Sequence, residues 1–310
     1  MEGLDFSLGK NPGHQVIEQL KQGFGNFKLD EIKRDRFFAP MVMFKNGGVN
    51  YLFAQSEKEC KVHYSQFTSK EEMSLFPDCN WANYYDVLFV FTEKEKTYLF
   101  GYSNRANWWY ISELTHDWNG KSEVKSGGGF GKRYDVMVPF KEGGKNYVFA
   151  HSSVDKSWFM AELTSTGGIS STKIISGYWQ KFYKVLIPFV ENGMNYLFAH
   201  SEQDNRWFIS KLSTKGWDGQ VEIRDGRWGR FYPTTTAFVK DRQAYAYFHS
   251  AKDNRWFVQK LATAKGTDAE GKNGNYGKYY DSVASFEENG SCYLVAQSSK
   301  DNDVLIENLM

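Results

Sequence analysis

One short phrase, Tyr-Leu-Phe-Ala followed by His or Gln and then Ser, returns six times along the 310-residue chain with small changes. Its closing serine recurs at a nearly constant spacing, at Ser56, Ser103, Ser152, Ser201, Ser250 and Ser298. A phenylalanine keeps the same register before each serine, at Phe44, Phe91, Phe140, Phe189, Phe238 and Phe286. An apolar residue keeps it after each serine, at Phe67, Leu114, Leu163, Leu212, Leu261 and Leu309. Such an internal repeat constrains the fold more than any other feature of the chain.

Each copy of the repeat predicts four short strands joined by polar turns. In the third copy, strand a ends at Phe140 and a Gly-rich turn leads to strand b, which ends at Ser152. Strand c follows over 158–163, and strand d lies near 172–175. A repeat of this length with four strands is typical of one blade of a β-propeller. The sequence therefore predicts an all-β fold in one domain, residues 1–310: a six-bladed β-propeller with four antiparallel strands per blade. The blades are predicted to begin near residues 37, 84, 133, 182, 231 and 279.

The prolines and the ends of the repeat indicate a closed ring. Proline cannot donate to a sheet ladder and is confined to edge strands or strand ends, and four prolines fall in or at the start of strand a: Pro40, Pro139, Pro188 and Pro233. Strand a is then the edge beside the central channel. The sixth copy ends at Met310 without a strand d, so we expect residues 24–33 to complete the last blade. We expect residues 1–23 to form a lead-in with a short helix over 14–22. An open solenoid, the main alternative, needs polar caps. It also does not explain why the sixth copy lacks a strand d that residues 24–33 could supply.

Composition and motifs argue against several classes of partner. The 38 basic and 37 acidic residues nearly cancel, which gives no basis for nucleic-acid binding. No apolar run is long enough to span a membrane and no signal peptide is visible, so the expected location is cytoplasmic, or released without a visible signal peptide. Cys60, Cys79 and Cys292 form no CxxC pair, which disfavours a disulfide framework. We expect no cofactor and no metal.

Polar and aromatic residues recur on the predicted face that carries the b–c loops and the crossovers between blades. An indole can stack on the apolar face of a sugar ring, and Arg, Asp and Asn side chains can bond its hydroxyls. The candidate ligand-binding residues are Trp81, Trp109, His151, Asp155, Trp158, Trp179, Lys181, His200, Asp204, Asn205, Arg206, Trp207, Trp228, Arg230, His249, Asp253, Asn254, Arg255 and Trp256. Several weak sites on one ring would give avidity.

A structural interpretation of the same residues stays open. A Trp that repeats at one strand position is also typical of packing between blades, and Asp-Asn is also an ordinary turn pair. The equivalent histidines His151, His200 and His249 are expected too far apart to share one metal ion, whose bonds to nitrogen are about 2.1 Å long. Hydrogen bonding near the b–c loop is their expected role.

This layout, with Arg206 and Arg255 beside Trp207 and Trp256, resembles the six-bladed β-propeller lectins of fungi and bacteria. The resemblance is architectural and spans the chain; it implies a soluble, multivalent carbohydrate-binding protein without catalysis, whose partners are glycans or glycoproteins. A homo-oligomer is compatible with it. In the fucose-binding members a Glu recurs with the Arg and the aromatic residue, and this sequence has no Glu at a regular offset.

Two other functions remain open from the sequence. Aromatic and Arg enrichment is also typical of protein-binding hot spots, which suits a protein-interaction scaffold. Asp86, Asp135 and Asp281 begin strand a in three copies. Carboxylates near the channel mouth would suit a propeller hydrolase.

Overall fold

The computed structural model describes residues 36–67, 79–81, 83–115, 118, 124–170, 172–217, 222–264 and 270–310. In this part of the chain the strands form six antiparallel sheets, each of three to five strands, arranged as the blades of a β-propeller. Blades 1 to 3 contain β1 (Met41–Asn46), β2 (Val49–Gln55), β3 (Lys61–Phe67) and β4 (Cys79–Asn80); β5 (Val87–Glu93), β6 (Lys96–Ser103), β7 (Trp108–Leu114) and β8 (Val124–Gly129); and β9 (Val136–Glu142), β10 (Lys145–His151), β11 (Ser157–Thr164), β12 (Gly168–Ile169) and β13 (Ile175–Tyr178).

Blades 4 to 6 follow the same order of strands. They contain β14 (Val185–Glu191), β15 (Met194–His200), β16 (Arg206–Lys211) and β17 (Glu222–Arg227); β18 (Thr234–Lys240), β19 (Gln243–His249), β20 (Arg255–Lys260) and β21 (Glu270–Asn275); and β22 (Ser282–Glu288), β23 (Ser291–Gln297) and β24 (Val304–Asn308). The predicted all-β six-bladed propeller is confirmed. The predicted helix over 14–22 and the predicted closing strand over 24–33 lie outside the described residues.

The first strand of each blade is an inner edge, as the prolines predict. Pro139 and Pro188 lie inside β9 and β14, each of which pairs within its sheet with one strand alone. Pro40 and Pro233 directly precede β1 and β18. Blade 3 departs from the prediction, because β12 and β13 both pair with β11. Its main outer strand therefore starts at Ile175, at the end of the predicted range 172–175.

The six turns between the first two strands of each blade share one backbone conformation. Both central residues have positive φ in each turn, for example 57° and 80° at Gly143 and Gly144. This is the type I′ turn, whose twist matches that of a two-stranded hairpin. Glycine or Asn occupies most of these positions because the left-handed region is costly for other residues.

The hydrophobic core lies between blades rather than within them. Each of the six core clusters among the described residues joins the facing sides of two adjacent blades; one combines Phe198 and Trp207 of blade 4 with Phe248 of blade 5. Blade 6 meets blade 1 in the same way. There the Phe38 amide donates to Oε1 of Gln297 over 2.9 Å, and Gln297 Nε2 donates to the Arg36 carbonyl over 2.8 Å. These contacts close the ring. No helix in the described ranges is long and apolar enough to cross a membrane.

Candidate functional site

The b–c loops, which join the second and third strands of each blade, are built by a repeated set of hydrogen bonds. In blade 4, Oδ1 of Asp204 accepts from the Arg206 amide over 3.2 Å, and Asn205 has a positive φ of 57°. The Asn205 carbonyl then accepts from the Trp228 amide over 3.0 Å. Asn254 has the same φ in blade 5. Asn is enriched in this region, so the backbone alone accounts for both asparagines.

The second carboxylate oxygen of the loop aspartate pairs with a cation from the preceding crossover. Lys132 Nζ lies 2.5 Å from Asp155, Lys181 Nζ lies 2.6 Å from Asp204, and Arg230 pairs with Asp253 in the same way. Lys278 with Asp301 (3.0 Å) and Arg36 with Glu59 (3.2 Å) extend the series. Five of the six junctions in the described chain therefore carry this pair. At the junction of blades 1 and 2 both positions are uncharged, since they hold Asn83 and Ala106.

These ion pairs lower the affinity of the carboxylates for protons. The hydrogen bond from Lys181 holds the pKa of Asp204 below its ordinary value, against the opposing effect of burial. The hydrogen bond from Lys132 does the same to the pKa of Asp155. Lys181, Arg230, Asp155, Asp204 and Asp253, five of the predicted ligand contacts, therefore already have partners in the structure. Arg206 also has partners, because it lies 2.6 Å from Glu222 and 3.2 Å from Asp225.

The three predicted histidines lie in the core, and the expectation that they contact ligand is corrected. His151, His200 and His249 are fully buried. His151 Nε2 accepts from the Tyr183 amide of the next blade over 3.2 Å, and Nδ1 donates to the Ser157 carbonyl over 3.1 Å. These bonds require the neutral ring protonated at Nδ1. Burial lowers the pKa of each histidine to about 4.

The tryptophans of the third strands are core residues, which corrects the expectation for Trp109, Trp158 and Trp256. Trp158 is 2% exposed, and Trp109, Trp207 and Trp256 are also buried. Each lies opposite a glycine of the outer strand, in the pairs Trp109 with Gly128, Trp158 with Gly177, Trp207 with Gly226 and Trp256 with Gly274. The indole covers its glycine so closely that an added Cβ would lie 2.5–3.0 Å from the ring.

The crossover tryptophans pack against the same interblade clusters. Trp179 is buried, and its ring meets Phe208 edge-on at 5.5 Å. Trp81 and Trp228 are half-buried at the junctions of blades 1 and 2 and of blades 4 and 5. Of the predicted indoles, Trp207 and Trp228 also line an open cleft.

This opening, the 4–5 cleft, has a volume of about 310 Å³ and lies between blades 4 and 5. Its lining residues are Trp207, Trp228, Gly229, Arg230, Tyr232, Phe257 and Gln259. Blade 4 supplies Trp207, blade 5 supplies Phe257 and Gln259, and the crossover between them supplies the rest. Beside it, Arg224 stacks 5.2 Å from the Trp207 ring and donates to the Ala262 carbonyl over 3.1 Å. The cleft thus combines an aromatic wall with amide and guanidinium groups.

The equivalent space is filled at the junction of blades 3 and 4. There Trp217, from the connection after β16, packs 4.8 Å from Trp158 and donates to Ser210 Oγ over 3.0 Å. Trp118 has the same place between blades 1 and 2, where it lies 5.1 Å from Tyr64. At the 4–5 junction, Gln259 replaces the serine and residues 262–275 contain no aromatic residue. The cleft is open where the filling indole is missing.

The sequence analysis missed Gly229, Tyr232, Phe257 and Gln259 as lining residues. Tyr232 and Phe257 recur as core aromatics in other copies and carry no local signal. Gln259 does carry a signal in the sequence. The equivalent residues in blades 2 and 4 are Ser112 and Ser210, and in both blades a Trp follows that fills the space between blades. In the described ranges, no group of three His, Cys, Asp or Glu side chains is arranged to hold a metal ion.

Comparison with known proteins adds information on the fold alone. No family model matches the chain, and no curated protein matches it. It is similar to many solved structures, with 446 matching chains. One is a Bacteroides fragilis protein named "putative 6-phosphogluconolactonase", with a TM-score of 0.51 and 13% identity, over 87% of this chain and 83% of that one. At this identity the likeness supports the β-propeller fold.

Proposed function

We propose that this propeller is a carbohydrate-binding protein and that the 4–5 cleft is one of its binding sites. The observation that carries the proposal is the open cleft at a junction where the filling indole is absent. Its volume of about 310 Å³ is at the lower end of the range for small-molecule sites, about 300–1,000 Å³. It is therefore suited to a small saccharide rather than a large cofactor.

The chemistry of the lining supports a ligand with both an apolar and a polar side. Trp207 and Trp228 offer aromatic surface, while Arg230 and Gln259 offer directed donors and, in Gln259, an acceptor. Arg230 is also anchored by Asp253, which fixes its guanidinium at little further cost in side-chain entropy. Pyranose rings present an apolar face with hydroxyls around the rim, so they match this lining.

A glycan array followed by calorimetry tests the proposal. With the best glycan, we expect Gly229→Gln to narrow the cleft and weaken binding at least about tenfold, or about 1.4 kcal/mol. Gln180 holds the equivalent position at the junction of blades 3 and 4, so the fold should tolerate the change. Gly131→Gln is the matched control, since Gly131 also faces open space. Equal loss in both variants would rule out the cleft, and no glycan binding at millimolar sugar would contradict the function.

Hydrolysis is the second candidate function. The observations in its favour are Asp86, Asp135 and Asp281 at the starts of inner strands and a structural neighbour named as a lactonase. Each carboxylate, however, accepts from a backbone amide of its own b–c loop over 2.6–2.7 Å. This shared loop role favours binding over catalysis. Saturable hydrolysis of a sugar lactone that is lost in Asp86→Asn would favour the hydrolase instead.

A further inference from the structure

The b–c loop of blade 2 carries an exposed indole that the repeat does not explain. Trp108 is 46% exposed, whereas its neighbour Trp109 is buried. The position is the fifth after the repeat serine, and the other copies hold hydrophilic residues there: Lys61, Ser157, Arg206, Arg255 and Asp303. An indole at this position is thus found in blade 2 alone, and the blade architecture does not require it.

Two glycines of the outer strand, Gly127 and Gly129, make room for this indole. Trp108 lies opposite Gly129 in the ladder between β7 and β8. An added Cβ at Gly127 would lie 3.2 Å from Nε1 of Trp108, and one at Gly129 would lie 3.7 Å from its Cε3. The indole therefore lies along β8 over both residues. Glycine weakens a strand and often marks a close approach. Here glycine lets one side of the Trp108 ring pack against the backbone of β8, while the remaining surface of the ring is exposed to solvent.

The junction beside Trp108 is also the one without the interblade ion pair. In blades 3 and 6 the crossover cation reaches the fifth loop position as well as the aspartate, since Lys132 bonds Ser157 and Lys278 bonds Asp303. Asn83 holds the position of these cations in blade 2. Ala106 replaces the aspartate, and Arg105 is exposed in the same loop. The loop that carries Trp108 thus lacks the ion pair and has an exposed guanidinium.

We propose that Trp108 is the stacking platform of a second saccharide site, which takes one pyranose ring against its exposed surface. The Arg105 guanidinium of the same loop supplies a hydrogen bond to a hydroxyl. A sugar fits better than a protein partner because protein hot spots lie within larger buried patches. In the described residues, the other large exposed apolar side chains lie in blades 3 to 5: Val154, Ile174, Tyr178, Val190, Met194, Ile223 and Val239. The platform rests on the proposed function for its ligand class but on different residues from the cleft.

Fluorine NMR of the full chain labelled with 5-fluorotryptophan tests this site directly. Trp108→Phe assigns the Trp108 resonance. The probes are trisaccharides of glucose, N-acetylglucosamine, mannose and galactose, together with methyl α-L-fucoside. We expect at least one probe to shift the Trp108 resonance with saturation. Trp108→Ala should weaken that binding at least tenfold, whereas Tyr178→Ala, which removes an aromatic residue that is 70% exposed, should not change it.

The outcomes separate this proposal from the one for the cleft. Gly229→Gln, at the cleft, should leave the response of Trp108 unchanged. A response confined to Trp207 and Trp228 would overturn the platform and keep the cleft. No response of any indole to any probe would overturn both. Size-exclusion chromatography tests for self-association. If the wild type self-associates, Trp108→Ala abolishes this, and no sugar shifts the Trp108 resonance, then Trp108 belongs to a protein contact and the platform is overturned.

Discussion

At the scale of single residues, much of this propeller is determined by pairs of side chains from different strands. The indole of each buried third-strand Trp lies across one glycine, and the two residues change together: where blade 1 has Val62 in place of Trp, its partner in the ladder is Cys79 rather than glycine. Glycine in a strand is ordinarily unfavourable. Glycine therefore recurs opposite these tryptophans because the indole occupies the space that a side chain would need.

Gly177→Ala should destabilise the protein by about 1–3 kcal/mol, the usual cost of overpacking a filled core. Its Cβ would lie 2.5 Å from Cζ2 of the buried Trp158, so the indole or the strand must move. Urea denaturation measures the difference. Gly131→Ala is the control, because nothing lies within 4 Å of the added methyl group, and it should be nearly neutral. A loss of equal size in both variants would contradict the packing argument.

The sequence carries this pairing in a form that strand patterns alone do not reveal. The glycines follow their tryptophans at a nearly constant spacing, but only the ladder shows that they are opposite each other. Burial of Trp109 and exposure of Trp108 were likewise not separable from sequence. Alternation predicts that two adjacent strand residues face opposite ways, but not which side is covered.

At the scale of elements, the hairpin turns show how local backbone chemistry was predictable where glycine signalled it. Gly143-Gly144 and Asn289-Gly290 indicate type I′ turns directly. The turns in blades 2 and 5 adopt the same conformation with Glu95 at a φ of 65° and Arg242 at 62°. These two side chains have no such preference, so the fold imposes the turn on the sequence there.

Glu95→Gly and Arg242→Gly should therefore raise the free energy of unfolding by about 0.5–1 kcal/mol each. Relief of the left-handed backbone contributes about 1–2 kcal/mol, and the extra freedom of glycine in the unfolded chain offsets part of it. Gly193→Ala, at the same turn position in blade 4 with a φ of 75°, should have the opposite sign. Chemical denaturation of the three variants measures these differences. A denaturation midpoint below that of the wild type for both Glu95→Gly and Arg242→Gly would refute the turn argument.

At the scale of the whole molecule, the ring depends on links that repeat at each junction, while the candidate sites arise where a copy departs from the repeat. The residue before the repeat serine provides such a link at several junctions. Gln55 Oε1 accepts from the Tyr85 amide over 3.0 Å, as Gln297 accepts from Phe38 and His151 from Tyr183. The sequence predicted the ring because the repeat is regular. The cleft between blades 4 and 5 was missed, because the repeat does not show that Trp118 and Trp217 fill the equivalent spaces at other junctions.

The three buried histidines should make the protein sensitive to acid. The folded-state pKa of His151, His200 and His249 is lowered by burial to about 4, against about 6.5 when unfolded. Between these values the unfolded chain binds more protons, so stability is fully present above about pH 6.5 and is lost as the pH falls towards 4. The loss is on the order of 3 kcal/mol for each histidine by linkage.

Replacing all three histidines with Gln, the residue found in blades 1 and 6, should remove this dependence, because Gln does not titrate and can accept from the next blade as Gln55 does. The melting temperature of the wild type is expected to fall steeply from pH 6.5 to 4.5, and that of His151→Gln/His200→Gln/His249→Gln to change little. His63, also buried but outside this series, stays in place in both proteins. If the triple variant loses stability as steeply as the wild type, the three histidines are not the cause, and the interblade carboxylates do not account for the loss over this pH range either. Their pKa values are lowered by their cation partners, so their contribution is lost at lower pH.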